Sequence, residues 1–312
     1  MASTDTYLMP ATLADALKLA DEYGGNCRII AGGTDVMPNR FQGNDTAPYL
    51  IDISRLNELR KLEKKDSSIV IGSLTTLEEV SNNAEILKYF PALAEAANSA
   101  ATPVIRKSAT LGGNLLCENR CIFYNQSEWW REAVGYCLKC NGDICIASGG
   151  NKRCFSKFVS DTAAALISMD AYAEIITHEG PSNLKLEDLY TGDGIQPRNI
   201  KAGTVIKAIH LPINNSSRTV FKKLRLRKSL DFTSLSTSVT LKSDSLLKIV
   251  LCGVDPGPVV LNKRADDNKD DIIATALKKS RIVDNDVFSR GYRREMIRVF
   301  LRRSFTELGI LK

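Results

Sequence analysis

The stretch Cys27-Arg-Ile-Ile-Ala-Gly-Gly-Thr-Asp35 carries the reading of this chain. Its first half, Cys27 to Ile30, reads as a short buried strand, and Ala31-Gly-Gly-Thr-Asp35 follows as a glycine loop at the strand's end. A second loop of the kind, Thr110-Leu-Gly-Gly-Asn114, lies further along. A Gly-Gly pair has no Cβ to hold a ligand off, so the backbone can come close and aim N–H groups at an anion. Thr34 and Asn114 add side-chain donors, and the combination suits a pyrophosphate. Neither loop is Gly-x-Gly-x-x-Gly, and Gly-x-x-x-x-Gly-Lys-Ser/Thr does not occur, so a Rossmann dinucleotide site and a P-loop are both unsupported. Taken singly, each pair is a weak signal and reads first as a tight turn. Two of them, each behind an apolar run, point to a phosphate cradle.

Outward from the first loop, Leu13, Ala16, Leu17, Ala20 and Tyr23 recur at helical spacing, with Thr12 as N-cap, Asp15 at the third helical position and Gly24-Gly25 as the stop. Residues 49–53 and 69–71 read as strands. Residues 73–80 follow, with Thr75 and Glu78 as a capping box, and 91–100 reads as an alanine-rich helix opened by Pro91. Residues 160–172 are small and apolar behind Ser160-Asp161, and 179–199 reads as a linker rich in Gly and Pro. Residues 205–211, 220–226, 232–241 and 246–252 read as strands, and 271–280 and 289–305 as helices. The last third is therefore expected to be an antiparallel sheet followed by helices.

A chain of 312 residues is long enough for two domains and a full core. Its net charge of +6 is a mild excess, concentrated at 218–228 and 290–303, and these read as solvated faces; no nucleic-acid partner is expected. No apolar run approaches the roughly 18 residues of a membrane span, and Met1-Ala-Ser-Thr-Asp5 has neither a basic nor an apolar leader region, so the cytoplasm is the expected location. The two histidines, His178 and His210, are too few for a Cys/His zinc finger or a bis-histidine haem, and neither sits by a nucleophile elbow.

Cysteine usage is uneven. Six of the eight fall between 117 and 154: Cys117, Cys121, Cys137, Cys140, Cys145 and Cys154. In a chain without a secretory leader this clustering points to metal or catalysis before disulfides. Cys137-x-x-Cys140 is a knuckle, but Cys117-x-x-x-Cys121 does not supply the second knuckle of a zinc ribbon. Spacing alone leaves iron–sulfur, zinc and unligated thiols open, and does not choose the ligands.

Ala31-Gly-Gly-Thr-Asp35, then Ile105-Arg106 with Ala109-Thr-Leu-Gly-Gly-Asn-Leu115, then Ser160-Asp161, resembles the FAD-binding medium subunit of molybdenum hydroxylases, of the xanthine and carbon monoxide dehydrogenase type. Phe221-x-Lys223-x-x-x-Arg227-x-x-x-Asp231-Phe232, Gly253-Val-Asp-Pro-Gly-Pro258 and Tyr292-Arg-Arg294 resemble later segments of that family, so the likeness spans nearly the whole chain. It implies an α+β fold. A two-part FAD-binding domain of the vanillyl-alcohol-oxidase kind (PCMH-like) is expected over 1–214, with subdomains of about 1–55 and 56–214. A C-terminal domain with an antiparallel sheet plus helices is expected over 215–312. The cysteine window, 117–154, is an insertion most members lack. It resembles the branch of 4-hydroxybenzoyl-CoA reductases, where such a loop holds a [4Fe-4S] cluster. That likeness selects Cys121, Cys137, Cys145 and Cys154 as ligands and leaves Cys117 and Cys140 as bystanders.

The resemblance also assigns Ile30, Ala31, Gly32, Gly33, Thr34, Asp35, Thr102, Thr110, Leu111, Gly112, Gly113 and Asn114 to a noncovalent FAD. Asp161 is expected to accept from the adenosine ribose or a flavin polar group, Lys223 to lie by the isoalloxazine, and Trp129 and Trp130 to shield the cluster. No catalytic residue is expected in an electron relay. Implied partners are a large molybdopterin subunit, a small subunit with two [2Fe-2S] clusters, and ferredoxin as electron donor, in a dimer of heterotrimers. The implied reaction is reductive dehydroxylation of an aromatic acyl-CoA. The alternative is a hydroxylase of xanthine, aldehyde or heterocycle type passing electrons outward, and a third reading is a zinc-stabilised assembly protein. Gly192-Asp-Gly194 departs from the family pattern on the surface expected to face a partner.

Overall fold

The computed structural model describes residues 6–311, so the reading of Met1–Asp5 as leader-free lies outside the described residues. Three sheets follow one another in the chain. The first is parallel, in the order β1-β3-β2, from β1 (Thr6–Leu8), β2 (Cys27–Ile30) and β3 (Tyr49–Asp52), with Cys27 opposite Tyr49 and Ile30 opposite Asp52. Helix α1 (Leu13–Tyr23) connects β1 to β2, and Thr12 caps it by accepting from the Asp15 amide at 3.1 Å, as its sequence predicts. Leu13, Ala16 and Ala20 bury their face against Ile51, Ile53, Leu56 and Leu59. Helix α2 (Val36–Phe41) starts directly behind the first glycine loop.

The second sheet is antiparallel, ordered β4-β5-β8-β6-β7: β4 (Leu62–Lys65), β5 (Ser68–Gly72), β6 (Tyr172–Thr177), β7 (Gly180–Lys185) and β8 (Val205–Pro212). Helices α3 (Leu77–Asn82), α4 (Ala84–Tyr89), α5 (Pro91–Asn98), α6 (Pro103–Arg106), α7 (Leu111–Leu115) and α9 (Ala163–Ser168) gather around it; α8 (Glu128–Val134) lies in the cysteine window. The small side chains of α5 and α9 let those helices pack closely in the same core as Ile69, Ile71 and Ile209. The third sheet, ordered β12-β11-β10-β9, holds β9 (Arg218–Leu224), β10 (Leu235–Leu241), β11 (Leu246–Cys252) and β12 (Val259–Arg264). Helices α10 (Lys269–Lys279) and α11 (Arg290–Glu307) cover it through Ile272, Ala276, Ile297, Leu301 and Phe305.

Several expectations need correction. The capping box sits one residue later, at Thr76 and Glu79, because Thr75 is buried and its hydroxyl donates to Arg60 O at 3.3 Å. The first part of the expected linker is β7, an edge strand, where Pro181 costs no ladder hydrogen bond. Residues 205–211 belong to the second sheet, as its central strand β8, and not to the last. Strand β12, unread in the sequence, completes the third sheet after the Pro-Gly-Pro turn. The second glycine loop is helical: Thr110 caps α7, its hydroxyl accepting from Gly113 N at 3.2 Å. Phe221, Val250 and Cys252 of the third sheet share one apolar cluster with Ile69 and Ile206 of the second sheet and Ala163 of α9. Among the described residues, no helix is long and apolar enough to cross a membrane.

Candidate functional site

The two glycine segments meet. A Cβ on Gly32 would stand 1.8 Å from the Ser108 carbonyl oxygen, so only glycine lets the β2–α2 loop pass the turn ahead of α7. Gly33 takes a φ of +69°, which L side chains rarely adopt. Behind this junction opens a cavity of about 560 Å³, a size ordinary for cofactor pockets. Ala31, Gly32, Gly33, Thr34, Asp35, Thr110, Gly112, Gly113, Asn114 and Asp161 all line it.

The two segments do different work there. Among the described residues the amides of Gly32, Gly33, Thr34 and Asp35 have no partner, and they sit in the cavity wall ahead of α2. Such a run of unpaired N–H groups is an anion-binding concavity. In α7 the amides are already used: Leu111 donates to Thr75 O, Gly112 to Ser73 O, Gly113 to the Thr110 hydroxyl and Asn114 to Thr110 O. Asn114 Oδ1 is likewise taken, accepting from Ser160 Oγ at 2.9 Å and from Thr162 N and Oγ1 at 3.1 and 2.8 Å. The second loop thus supplies shape and the first supplies donors. Ser73 Oγ and Asn44 Oδ1, both in the cavity wall, are buried without partners.

Some expected ligands stand behind the wall. Ile30, Thr102, Leu111 and Lys223 do not line the cavity. Ile30 is core, Thr102 caps α6, and Leu111 is fully buried. Lys223 Nζ lies 2.5 Å from Asp161 Oδ1 and 3.0 Å from Ser99 O. Asp35 is pinned as well: Arg120 pairs with one carboxylate oxygen and the Glu118 amide donates to the other at 2.9 Å. The cavity also includes Cys117, Glu118, Tyr124, Arg198 and Phe232, which sequence reading left out. Glu118 had a signal, an acid next to Cys117, whereas Arg198 lay in the supposed linker.

A second, small cavity adjoins the first. Cys121, Cys137, Cys145 and Cys154 all line it, with Phe123, Tyr124, Leu138, Lys139, Ile146, Ala147 and Ser156. Cys117 lines the larger cavity instead, and Cys140 lines neither. Trp129 and Trp130 are absent from this wall, and Trp129 is 75% exposed; the cover comes from Phe123, Leu138 and Ile146. Gly194 fits here because a Cβ would stand 2.7 Å from Cys154 Sγ, which gives the Gly192-Asp-Gly194 departure a packing reason. Burial pushes the Cys121 thiol up to about 12 and raises Cys154, while the Cys140 thiol beside Cys137 lowers Cys137. Among the described residues no three His, Cys, Asp or Glu side chains are grouped to hold a single metal ion. What the four cysteines share is the wall of this one small cavity.

A family model described as the FAD binding domain in molybdopterin dehydrogenase matches residues 2–214. The chain is 29% identical over 269 residues to the aldehyde oxidoreductase FAD-binding subunit PaoB of Escherichia coli strain K12, covering 81% of this chain and 82% of that one. It is 23% identical to the glyceraldehyde dehydrogenase medium chain of Sulfolobus acidocaldarius, over 97% and 98% of the two chains. A solved structure of reconstituted CO dehydrogenase from Oligotropha carboxidovorans has the same fold, with a TM-score of 0.78, 21% identity and 98% of each chain covered. With the glycine junction and its open amides in place, the match over 2–214 means that this chain belongs to the family of FAD-binding domains of molybdopterin dehydrogenases, whose members are flavin subunits of molybdenum oxidoreductases.

Proposed function

We propose that this chain is an electron-relay subunit holding noncovalent FAD in the larger cavity and one [4Fe-4S] cluster in the four-cysteine cavity, within a molybdenum enzyme that reduces an aromatic acyl-CoA. One observation carries the reading: four cysteines scattered over 34 residues of sequence share one cavity wall, and that wall adjoins the flavin cavity through Tyr124. Four thiolates in one wall, with no three of them grouped for a single ion among the described residues, suit a cluster better than one zinc ion, which needs its ligands about 2.3 Å from a common point. FAD supplies electron exchange in pairs or singly, the cluster singly.

The chain's own residues hold and orient. The amides of Gly32 to Asp35 would meet the pyrophosphate, and Thr34 would add its hydroxyl. Asp161 offers a carboxylate to a ribose or flavin polar group, and Lys223 keeps that carboxylate in place. Phe123, Leu138 and Ile146 keep water from the cysteines. A large molybdopterin subunit, a small subunit with two [2Fe-2S] clusters and a ferredoxin-type donor complete the proposed complex, as a dimer of heterotrimers.

A second reading keeps the subunit and reverses the flow, as in a hydroxylase. The relatives, an aldehyde oxidoreductase subunit and a glyceraldehyde dehydrogenase medium chain, favour it. An anaerobic iron and flavin count on the complex with its native partners, with EPR after dithionite reduction, tests the proposal. One FAD and one cluster beyond the [2Fe-2S] pair is the expected result. Zinc, or no extra metal, overturns the cluster assignment and leaves the hydroxylase reading in the lead.

A further inference from the structure

Between the two cavities stands a thin partition of charged and aromatic groups. Lys139 sits in the wall of the cysteine cavity, Glu118 in the wall of the larger cavity, and Tyr124 in both. Lys139 Nζ donates to Glu118 Oε1 at 2.6 Å and to Gly194 O at 2.5 Å, and lies 5.1 Å from the centre of the Tyr124 ring. The Lys139 side chain is only 6% exposed. On its other side Glu118 meets Arg198 Nη1 at 3.4 Å, and beyond it lie Cys117 and the Arg120–Asp35 pair.

A buried ion pair is a weak stabiliser, since the desolvation of both charges offsets their attraction. Packing alone therefore gives little reason for a lysine between Cys137 and Cys140. The pair has a direction instead. Its positive end sits in the wall of the four-cysteine cavity and its negative end in the wall of the larger one. Any electron arriving among four thiolates adds negative charge to an enclosed site, where fixed charges act strongly.

We propose that Lys139 and Glu118 are positioning residues that set the electrostatic step between the two cavities, Lys139 favouring and Glu118 opposing reduction on the cysteine side. This rests on the reading of Cys121, Cys137, Cys145 and Cys154 as cluster ligands. Removing either end of the pair should move the cluster's potential, and in opposite directions.

The test is an EPR-monitored redox titration of the intact complex, with iron and flavin counted in each sample. Lys139→Met should lower the equilibrium constant for cluster reduction about tenfold, a fall of about 59 mV for a one-electron centre. Glu118→Gln should raise the potential, and Lys139→Arg should restore the wild-type value. If Lys139→Met loses its iron, Glu118→Gln decides alone. Iron kept with potentials unmoved, or both variants moving the same way, overturns the proposal. Loss of iron in both, with Lys139→Arg intact, makes the pair scaffold only and also overturns it. A wild-type complex with FAD but no extra cluster overturns the underlying reading, and this proposal with it.

Discussion

Lys223 Nζ lies 2.5 Å from Asp161 Oδ1, and both side chains are almost wholly enclosed. They come from opposite parts of the chain, β9 and the approach to α9. Lys223 also accepts the duty of holding Ser99 O and Asp231 O, so one ammonium ties three segments around the cavity. Lys223→Met leaves a buried carboxylate without its cation, and should cost about 3–5 kcal/mol. Denaturant unfolding checks this. A loss below about 1 kcal/mol, the range of an exposed pair, would mean that water reaches Asp161.

The glycine junction gives a separable prediction. Gly32→Ala puts a methyl group 1.8 Å from Ser108 O, and the two loops must part. The flavin-to-protein ratio of the purified complex should fall well below wild type. Gly33→Val should do the same through its φ of +69°. Full flavin occupancy in both variants would remove the β2–α2 loop from the cradle.

Ligand choice in the cysteine window can be read by iron count. Cys145→Ser should lose one cluster's iron and keep FAD, because Cys145 lines the small cavity. Cys140→Ser should keep both, since Cys140 lies outside either wall. Iron loss in the second variant alone would put Cys140 in the ligand set.

Glu118 gives a pH dependence. Burial works to raise its pKa, but Lys139 and Arg198 overcome that and hold it down to about 2, from an ordinary 4.5. A carboxylate depressed in the folded state contributes stability above its unfolded pKa. That contribution is whole above about pH 4.5 and is lost as pH falls toward 2. Its ceiling is about 3 kcal/mol. Glu118→Gln should flatten the stability curve over this range in acid unfolding followed by circular dichroism. An unchanged slope would mean that the Lys139 and Arg198 contacts are loose in solution.

Local signals in the sequence carried the elements and the first half of the site. Thr12 with Asp15, Pro91, the alternation in β10 and the apolar run in β11 are short-range, and the helices and strands appear where they point. The Gly32-Gly33 loop was legible because close approach and positive φ demand glycine locally. The capping box slipped by a residue because burial of Thr75 is a tertiary fact. β7 was hidden because its edge position, which excuses Pro181, is known only once the sheet is assembled.

By itself, then, the sequence determined the two glycine segments, most of the local elements and the concentration of cysteines between 117 and 154. Only the tertiary structure decided which cysteines share a wall, that α7 spends its amides on Ser73 and Thr75, and that Lys223 stands behind Asp161. The reason is physical. Propensity and backbone strain act within a few residues, whereas cavities and buried ion pairs join groups such as Asp161 and Lys223, 62 residues apart, whose meeting depends on the packing of whole sheets.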